Sequence, residues 1–212
     1  MELINQIKEE AKNFFLTSRG SHDWSHTERV YNLALHIGKK EGADMEILSI
    51  AALLHDIGRD CESKSKGLIC HAEKGASMAE ALLKKYNISS EKIEAIVHCI
   101  LTHRFRGNKI PSSVEGKILF DADKLDSTGA VGIGRAFLFA GETGAKLHNK
   151  DVDIHKTLPY TEDDTAWREF NVKLNKIKDK MLTDEGKRIA RERHKVMVDF
   201  FDRLNREVDG LS

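Results

Sequence analysis

Apolar residues recur at helical spacing along nearly the whole of this 212-residue chain. No segment shows a convincing alternation of apolar and polar residues, the pattern typical of a half-buried strand. The chain contains only two prolines, and long helices tolerate little proline because it lacks a backbone N–H donor. The sequence therefore predicts an all-α fold, with residues 1–212 forming a single domain.

Helix start and stop signals divide the first half of the chain. Helices are predicted at about 2–17, 24–40, 71–86, 90–103 and 113–127. The second of these stops at Gly42, and Asp44 then serves as the N-cap of a further helix that ends near Leu54. That helix is apolar almost all round, which predicts a central, buried element. Residues 58–67 carry several charges and are predicted to form a loop.

The second half of the chain begins with a glycine-punctuated segment at 129–144, followed by polar, irregular residues at 145–160. Two long charged helices are predicted at about 162–181 and 184–208. Together they form a C-terminal helical hairpin over about 160–209. We expect this hairpin either to close the domain or to form a homo-oligomer contact.

Composition narrows the classes of partner. Lys plus Arg and Asp plus Glu each number 34, and this balance argues against a nucleic-acid partner, which usually requires a basic excess. A small anionic substrate stays open, because local charge governs its binding. Three cysteines make a disulfide framework improbable. Neither a signal peptide nor an apolar run of about 20 residues is found, so we expect a cytoplasmic protein with no membrane partner.

Two histidines and an aspartate point into the expected core. His26 lies on an inward-facing stripe of its helix with Val30, Leu33 and Ile37. His55 and Asp56 end the apolar helix, which would place an imidazole and a carboxylate in a dry interior. An unpaired carboxylate there would be costly, and a metal ion is one of the few partners that offsets the cost. For Asp56 alone, an arginine partner or a capping role is an equal alternative.

The helix predicted at 113–127 carries three carboxylates close to its buried side. Its buried arc consists of Val114, Ile118, Ala122 and Leu125. Asp126 falls within that arc, Asp123 lies at its edge and Asp121 at the opposite edge. Packing alone gives no reason for carboxylates there, whereas a bound cation does. A mixed set of imidazoles and carboxylates suits a divalent Mn, Fe, Mg, Ni or Zn ion.

Three segments together resemble the HD-domain superfamily of metal-dependent phosphohydrolases. They are His22-Asp23-Trp24-Ser25-His26, His55-Asp56-Ile57-Gly58 and Asp121-Ala122-Asp123-Lys124-Leu125-Asp126. The sequence Gly-Ile-Gly-Arg-Ala-Phe at 132–137 is similar to that of small bacterial and archaeal HD hydrolases, and the resemblance covers about residues 20–140. It implies an HD-type helical bundle that binds a metal ion. The ligands that it implies are His26, His55, Asp56 and Asp123, with Asp123 rather than Asp121 or Asp126 as the fourth.

The resemblance also bears on three further histidines. His71 faces the core, and the sequence His71-Ala72-Glu73-Lys74-Gly75 is similar to the His-x-x-x-Gly segment that HD proteins place beside the metal. His98 and His103 lie about 140° apart around a helix. The segment at 100–103 resembles the di-metal HD pattern, so His103 is the functional candidate and His98 a core or helix-flank residue. His71 and His103 either transfer a proton or bind a second ion bridged by Asp56, which leaves the number of ions at one or two.

Basic residues near the site would hold the phosphate of a substrate. By the resemblance, Lys124 matches a position that contacts substrate phosphate in some HD enzymes. Arg59 follows the His-Asp-Ile-Gly segment, and Arg104 and Arg106 follow His103. A solvated surface charge is the alternative for each of the three arginines.

The resulting hypothesis is a metal-dependent phosphohydrolase that cleaves a phosphoester or phosphoanhydride of a nucleotide-like small molecule with metal-activated water. Asp56, His71 and His103 would be the catalytic residues, and Lys124, Arg104 and Arg59 would bind the substrate. Two alternatives stay open. One is a di-iron oxygenase on the same scaffold, which requires two ions, and the other is a non-catalytic ligand-binding module.

Overall fold

The computed structural model describes residues 2–16, 23–104 and 109–211. These residues form an all-α structure, as predicted, and strands are absent from the described ranges. The chain divides into two compact units, Met1–Asp123 and Lys124–Ser212. The prediction of a single domain over residues 1–212 stays a prediction. Among the described helices, none is both long and apolar enough to cross a membrane.

The helices are α1 (Glu2–Asn13), α2 (Trp24–Glu41), α3 (Met45–Leu54), α4 (Arg59–Lys64), α5 (His71–Leu83), α6 (Ser90–Thr102), α7 (Val114–Leu125), α8 (Gly129–Glu142), α9 (Ala166–Val172) and α10 (Asp184–Val208). In the described ranges, 3₁₀ segments lie at Ile154–Lys156 and Leu174–Lys180.

Helix α3 is the centre of the first unit. It packs against α1, α2 and α6, and each of its residues from Leu48 to Leu54 is buried. The prediction of a central element is therefore confirmed. An all-apolar surface is stable only where neighbours cover every side of the helix. The C-terminal end of α3 consequently delivers whatever follows it into the interior.

The ends of α2 and α3 follow the predicted signals. Gly42, with φ of +70°, ends α2, a backbone conformation that glycine adopts without steric cost. The Asp44 side chain accepts hydrogen bonds from the backbone N–H groups of Glu46 and Ile47 at 2.9 and 3.1 Å. Two of the otherwise unpaired donors at the start of α3 are thereby satisfied.

The predicted loop at residues 58–67 is wrong over most of its length, because Arg59–Lys64 form the short helix α4. Gly58 allows α4 to start close to α5. A Cβ atom on Gly58 would lie 2.3 Å from the carbonyl oxygen of His71 and 2.6 Å from the backbone nitrogen of Gly75. A six-residue helix is too short for a hydrophobic period to develop, which explains the error.

The second unit contains helices α8, α9 and α10 and the two 3₁₀ segments. The glycine-punctuated segment at 129–144 forms the regular helix α8. The continuous helix predicted at 162–181 is wrong, because α9 ends at Val172 and a 3₁₀ segment occupies Leu174–Lys180. The prediction of α10 at 184–208 is confirmed. The hairpin thus consists of α9 and the 3₁₀ segment as its first arm and α10 as its second.

Candidate metal centre

His55 and Asp56 lie just beyond the last residue of α3, where they are almost completely buried. The Nδ1 atom of His55 lies 2.8 Å from the carbonyl oxygen of Ala52. A carbonyl oxygen only accepts, so Nδ1 carries the hydrogen and donates it. The Nε2 atom of the neutral ring therefore presents a lone pair to the interior.

A first donor group consists of His26 on α2, His55 after α3 and Asp123 on α7. The Nε2 atom of His26 lies 3.4 Å from the Nε2 atom of His55 and 3.4 Å from Oδ1 of Asp123. One ligand atom from each residue lies within 4.8 Å of the others. Three separate helical segments thus bring together three of the four predicted metal ligands.

A second donor group consists of Asp56, His71 at the start of α5 and His103 at the end of α6. All three residues are buried. Oδ1 of Asp56 lies 3.3 Å from Nε2 of His71 and 3.7 Å from Nε2 of His103. The two histidine Nε2 atoms are 3.2 Å apart. The two further histidines singled out in the sequence therefore lie together, against the same aspartate.

Asp56 connects the two groups through its two carboxylate oxygens. Oδ2 faces the first group, at 3.6 Å from Nε2 of His26 and 3.8 Å from Nε2 of His55. Oδ1 faces His71 and His103. One side chain thus presents an oxygen to each of two adjacent sets of imidazole nitrogens.

Hydrogen positions and pKa values at the imidazoles of His55, His71 and His103 test whether this site fits cations. His103 Nδ1 lies 2.6 Å from the carbonyl oxygen of Ile100, to which it donates. Burial is the largest cause that lowers the pKa of His55 and of His71 to about 4, and it outweighs the opposing charge of Asp56. The rings of His55 and His71 are therefore neutral near pH 7, and the Nε2 atoms of His55 and His103, whose Nδ1 hydrogens are donated to backbone carbonyl oxygens, present lone pairs toward the carboxylate oxygens of the site. Such an arrangement fits divalent cations as its partners.

Asp56 stays ionised at the centre of this arrangement. Burial acts to raise the pKa of Asp56, but the opposing causes, led by the charge of Arg59, outweigh it and hold the pKa well below the usual value. Nη2 of Arg59 donates to Oδ1 and Oδ2 of Asp56 at 3.0 and 3.1 Å. The arginine alternative considered for Asp56 is therefore present as a contact, alongside the imidazoles.

The family comparison agrees with this geometry. Residues 23–128 match the model of the HD domain. The chain is a member of the HD-domain phosphohydrolase superfamily. Because HD domains bind divalent metals, the two His/Asp donor groups are the natural place for such ions in this HD protein. Membership in the superfamily also supports a metal-dependent hydrolase activity.

Relatives of comparable length cover nearly all of this HD protein, and a longer one covers part of it. YpgQ of Bacillus subtilis is 34% identical over 215 residues, which span 100% of this chain and 96% of YpgQ. The crystal structure of YpgQ in complex with ADP has a TM-score of 0.76, with 32% identity, covering 99% of this chain and 100% of that chain. The structure of an HD-superfamily hydrolase from Bacillus thuringiensis has a TM-score of 0.78 at 28% identity, covering 98% and 97% of the two chains. Ribonuclease Y of Chloroflexus aurantiacus is 32% identical over 59% of this chain, but only 21% of that enzyme is covered.

Other predicted residues of the HD site have different surroundings. Asp126 accepts a hydrogen bond of 2.6 Å from Nη1 of Arg135, which gives its buried carboxylate a partner outside the donor groups. Asp121 is buried but belongs to neither group of the described residues. His98 contacts the hydroxyl group of Ser112 at 3.0 Å, as expected of a helix-flank residue. Val114, expected in the buried arc, is exposed at the first residue of α7.

The predicted substrate-binding residues differ in their surroundings. The guanidinium groups of Arg59 and Arg104 are partly exposed, and both contact carboxylates of the site. Lys124 follows Asp123 on α7 and is also partly exposed. Arg106 lies outside the described residues, as does His22 of the first motif.

Glu62 on α4 is a site residue that the sequence did not indicate. Its carboxylate contacts Arg59, His71 and Arg104. The spacing of Arg59 and Glu62 could have indicated this contact, because residues three apart lie side by side on a helix. The prediction of a loop at residues 58–67 hid that spacing.

Proposed function

We propose that this protein hydrolyses a phosphoester or phosphoanhydride bond of a nucleotide-like small molecule with two divalent ions. The first ion would be held by His26, His55 and Asp123 with Oδ2 of Asp56, and the second by Oδ1 of Asp56 with His71 and His103. The single observation that carries the proposal is the position of Asp56, whose two oxygens each face a separate set of imidazole nitrogens.

The chemistry of the donor atoms restricts which metal ions suit the two positions. Four imidazoles and two carboxylates contribute to the two positions. Imidazole suits Fe, Ni and Zn, and the two carboxylates also suit Mn, whereas Mg prefers a shell made of oxygen atoms alone. We therefore favour one of the first four metals over Mg. Such an ion, when bound, would lower the pKa of coordinated water and polarise a phosphate oxygen of the substrate.

The hydrogen bonds of the imidazoles favour ligand roles over proton transfer. The Nδ1 atoms of His71 and His103 contact Glu62 and a backbone carbonyl oxygen, so their hydrogens point away from the centre. Only the Nε2 lone pairs face inward. Asp56 is likewise a poor proton acceptor near pH 7, since its pKa is held well below the usual value. Its proposed role is to hold both ions and orient the attacking water.

Cationic side chains at the same site would neutralise the phosphate groups of the substrate. The side chains of Arg59 and Arg104 are 22% and 16% exposed, so each contacts a carboxylate of the site and can also reach an incoming anion. Arginine presents several N–H donors that match phosphate oxygens. Lys124, next to Asp123, is the third proposed phosphate contact. The ADP complex of the relative YpgQ supports a nucleotide as the ligand class.

Metal analysis and a phosphate-release assay on the same protein test the proposal. Protein stripped with chelator is reloaded with Mn²⁺ and supplied with nucleoside triphosphates, diphosphates, monophosphates and bis(p-nitrophenyl) phosphate. We expect two ions per chain and release of phosphate or pyrophosphate that Asp56→Asn abolishes. His155→Gln, outside both donor groups, serves as the control and should retain full activity. A fully loaded protein that turns over none of these substrates would contradict the proposal.

The di-iron oxygenase alternative shares one requirement with this proposal. It needs His71 and His103 together beside the first ion position. The Nε2 atoms of these two histidines are 3.2 Å apart, which meets that need. The relatives described as HD-superfamily hydrolases favour hydrolysis. Hydrolysis by Mn²⁺-loaded protein under strictly anaerobic conditions separates the two, because an oxygenase requires dioxygen.

A further inference from the structure

Glu62 lies at the junction of three polar side chains of the site. Its Oε2 atom is 2.6 Å from Nδ1 of His71 and 3.2 Å from Nη1 of Arg59. Its Oε1 atom accepts a short hydrogen bond from Nη1 of Arg104. The Glu62 side chain is only 14% exposed, and these partners come from the start of α4, the start of α5 and the residues after α6. The carboxylate is thus held from three directions.

The position of the hydrogen on His71 follows from these contacts. Nδ1 of His71 has two neighbours, the Glu62 carboxylate at 2.6 Å and Nη1 of Arg104 at 3.0 Å. A carboxylate accepts and a guanidinium donates, so the two neighbours favour opposite tautomers. The contact with Glu62 is the shorter of the two, and Arg104 donates instead to the other oxygen of Glu62. Nδ1 of His71 therefore carries the hydrogen, and Nε2 presents its lone pair to Asp56 and His103.

We propose that Glu62 is a positioning residue that fixes the tautomer and the ring orientation of His71, and thereby completes the second donor group. This inference rests on the proposed two-ion function. In proteins, a ligating histidine commonly donates its other ring hydrogen to a carboxylate, and loss of that carboxylate costs about 10–100-fold in metal affinity. Without Glu62, Arg104 is the remaining neighbour of Nδ1 and favours the opposite tautomer. The hydrogen would then sit on Nε2 and block the second position.

The first donor group should not depend on Glu62. His55 donates its Nδ1 hydrogen to the backbone carbonyl oxygen of Ala52, so the direction of its inward-facing nitrogen is set without Glu62. The proposal therefore predicts a selective effect on one of two neighbouring positions. General damage to the fold would weaken both positions together.

Two substitutions at Glu62 and one on the same helix test this inference in the full-length chain. Glu62→Ala removes the acceptor, whereas Glu62→Gln keeps an oxygen that can accept from Nδ1 of His71. Asp60→Ala is the matched control, because Asp60 is an exposed carboxylate of α4 that pairs with Lys64. Thermal unfolding of all three variants shows whether α4 is intact.

The first readout is the ¹⁵N chemical shift of the His71 ring nitrogens in metal-free protein, which reports the tautomer directly. We expect the Nδ1–H form in the wild type and Asp60→Ala, the Nε2–H form or a mixture in Glu62→Ala, and substantial recovery in Glu62→Gln. An unchanged tautomer in Glu62→Ala would overturn the inference.

The second readout is Mn²⁺ titration by calorimetry. We expect Glu62→Ala to weaken the second equivalent by about 10–100-fold and to leave the first unchanged, with Glu62→Gln between the two. A selective positioning role would be refuted if the affinities for both Mn²⁺ equivalents fell equally, or if neither affinity changed. Wild-type protein that binds only one Mn²⁺ would contradict the two-ion function, and the ¹⁵N measurement would still decide whether Glu62 sets the tautomer of His71.

Discussion

The metal-free protein should lose stability as the pH falls from about 6.5 to about 4. His55 and His71 are the cause, because both rings are buried and neutral in the folded protein. Burial lowers the pKa of each ring from 6.5 to about 4. In the unfolded chain both histidines have the ordinary pKa of about 6.5 and bind protons near that pH. Protons therefore favour the unfolded state throughout this interval.

The magnitude follows from the two pKa values. One pKa unit corresponds to about 1.4 kcal/mol, so the drop from 6.5 to about 4 corresponds to about 3 kcal/mol for each histidine. Above pH 6.5 both states are neutral at these rings, and stability should be flat. Below pH 6.5 the free energy of unfolding should fall by up to about 3 kcal/mol per pH unit for the pair, and by less where the two rings titrate together through Asp56.

The carboxylates of the site act in a different pH range. The pKa values of Asp56 and Glu62 are lowered in the folded protein. Both residues therefore contribute stability that is present above their unfolded values of about 4 and is lost as the pH falls below them. Measurements between pH 7.5 and 4.5 are thus dominated by the histidines.

Urea unfolding of chelator-treated protein measures the effect. The chain has two tryptophans, and Trp167→Phe leaves Trp24, at the start of α2, as the fluorescent probe of the first unit. We expect a flat free energy of unfolding from pH 7.5 to 6.5 and a steep fall by pH 4.5. His71→Gln should remove about half of that fall, whereas His155→Gln should not change it. A free energy that stays constant down to pH 4.5 would refute the reasoning.

Three other substitutions should separate the roles of residues in the site, and a fourth, on α8, serves as a control. Asp56→Asn removes the charge shared by both ion positions and should weaken both Mn²⁺ equivalents in calorimetry by more than about 100-fold. Arg104→Ala should raise KM for the phosphate substrate by about 10-fold or more, the effect of losing one charge-assisted hydrogen bond, with a smaller change in kcat. Gly58→Ala should destabilise the protein by about 2–4 kcal/mol and weaken the second equivalent, because its Cβ atom would meet the backbone of His71. Gly134→Ala on α8, with nothing within 4 Å of a new Cβ atom, should change stability by less than about 1 kcal/mol in thermal unfolding.

The first donor group was predictable from the sequence because each of its members belongs to a strong helical pattern. The apolar run of α3 requires burial on every side, so its last residues had to enter the interior. His26 shares a stripe with apolar residues, and Asp123 lies at the edge of a buried arc. For these residues, periodicity alone gives the direction of the side chain, and the family resemblance adds which carboxylate is used.

The surroundings of the second donor group were only partly predictable, because they depend on a short helix that a hydrophobic period does not reveal. Glu62 lies on the six-residue helix α4, whose charged sequence is equally typical of a loop. The prediction of a continuous helix in the first arm of the C-terminal hairpin was wrong for a related reason. The charged sequence at 174–180 carries a helical pattern but forms a 3₁₀ segment. A 3₁₀ helix has backbone hydrogen bonds between residues three apart and an α-helix between residues four apart, and the hydrophobic pattern does not distinguish the two.

The placement of Asp56 explains why a histidine and an aspartate stand side by side in this site. Adjacent side chains of a regular helix diverge by about 100°, so two neighbours in the middle of α3 would face different elements. At the end of α3 the chain turns, and His55 and Asp56 both contact His26 of α2 and His103 at the end of α6. In the proposed two-ion site, His55 would contribute to one ion position with its single inward nitrogen. Asp56, with two oxygens, would contribute to both. Exchange of the two residues would leave a nitrogen where a bridging carboxylate is required, so the His55→Asp, Asp56→His double variant should fail to bind a second Mn²⁺ even if it folds.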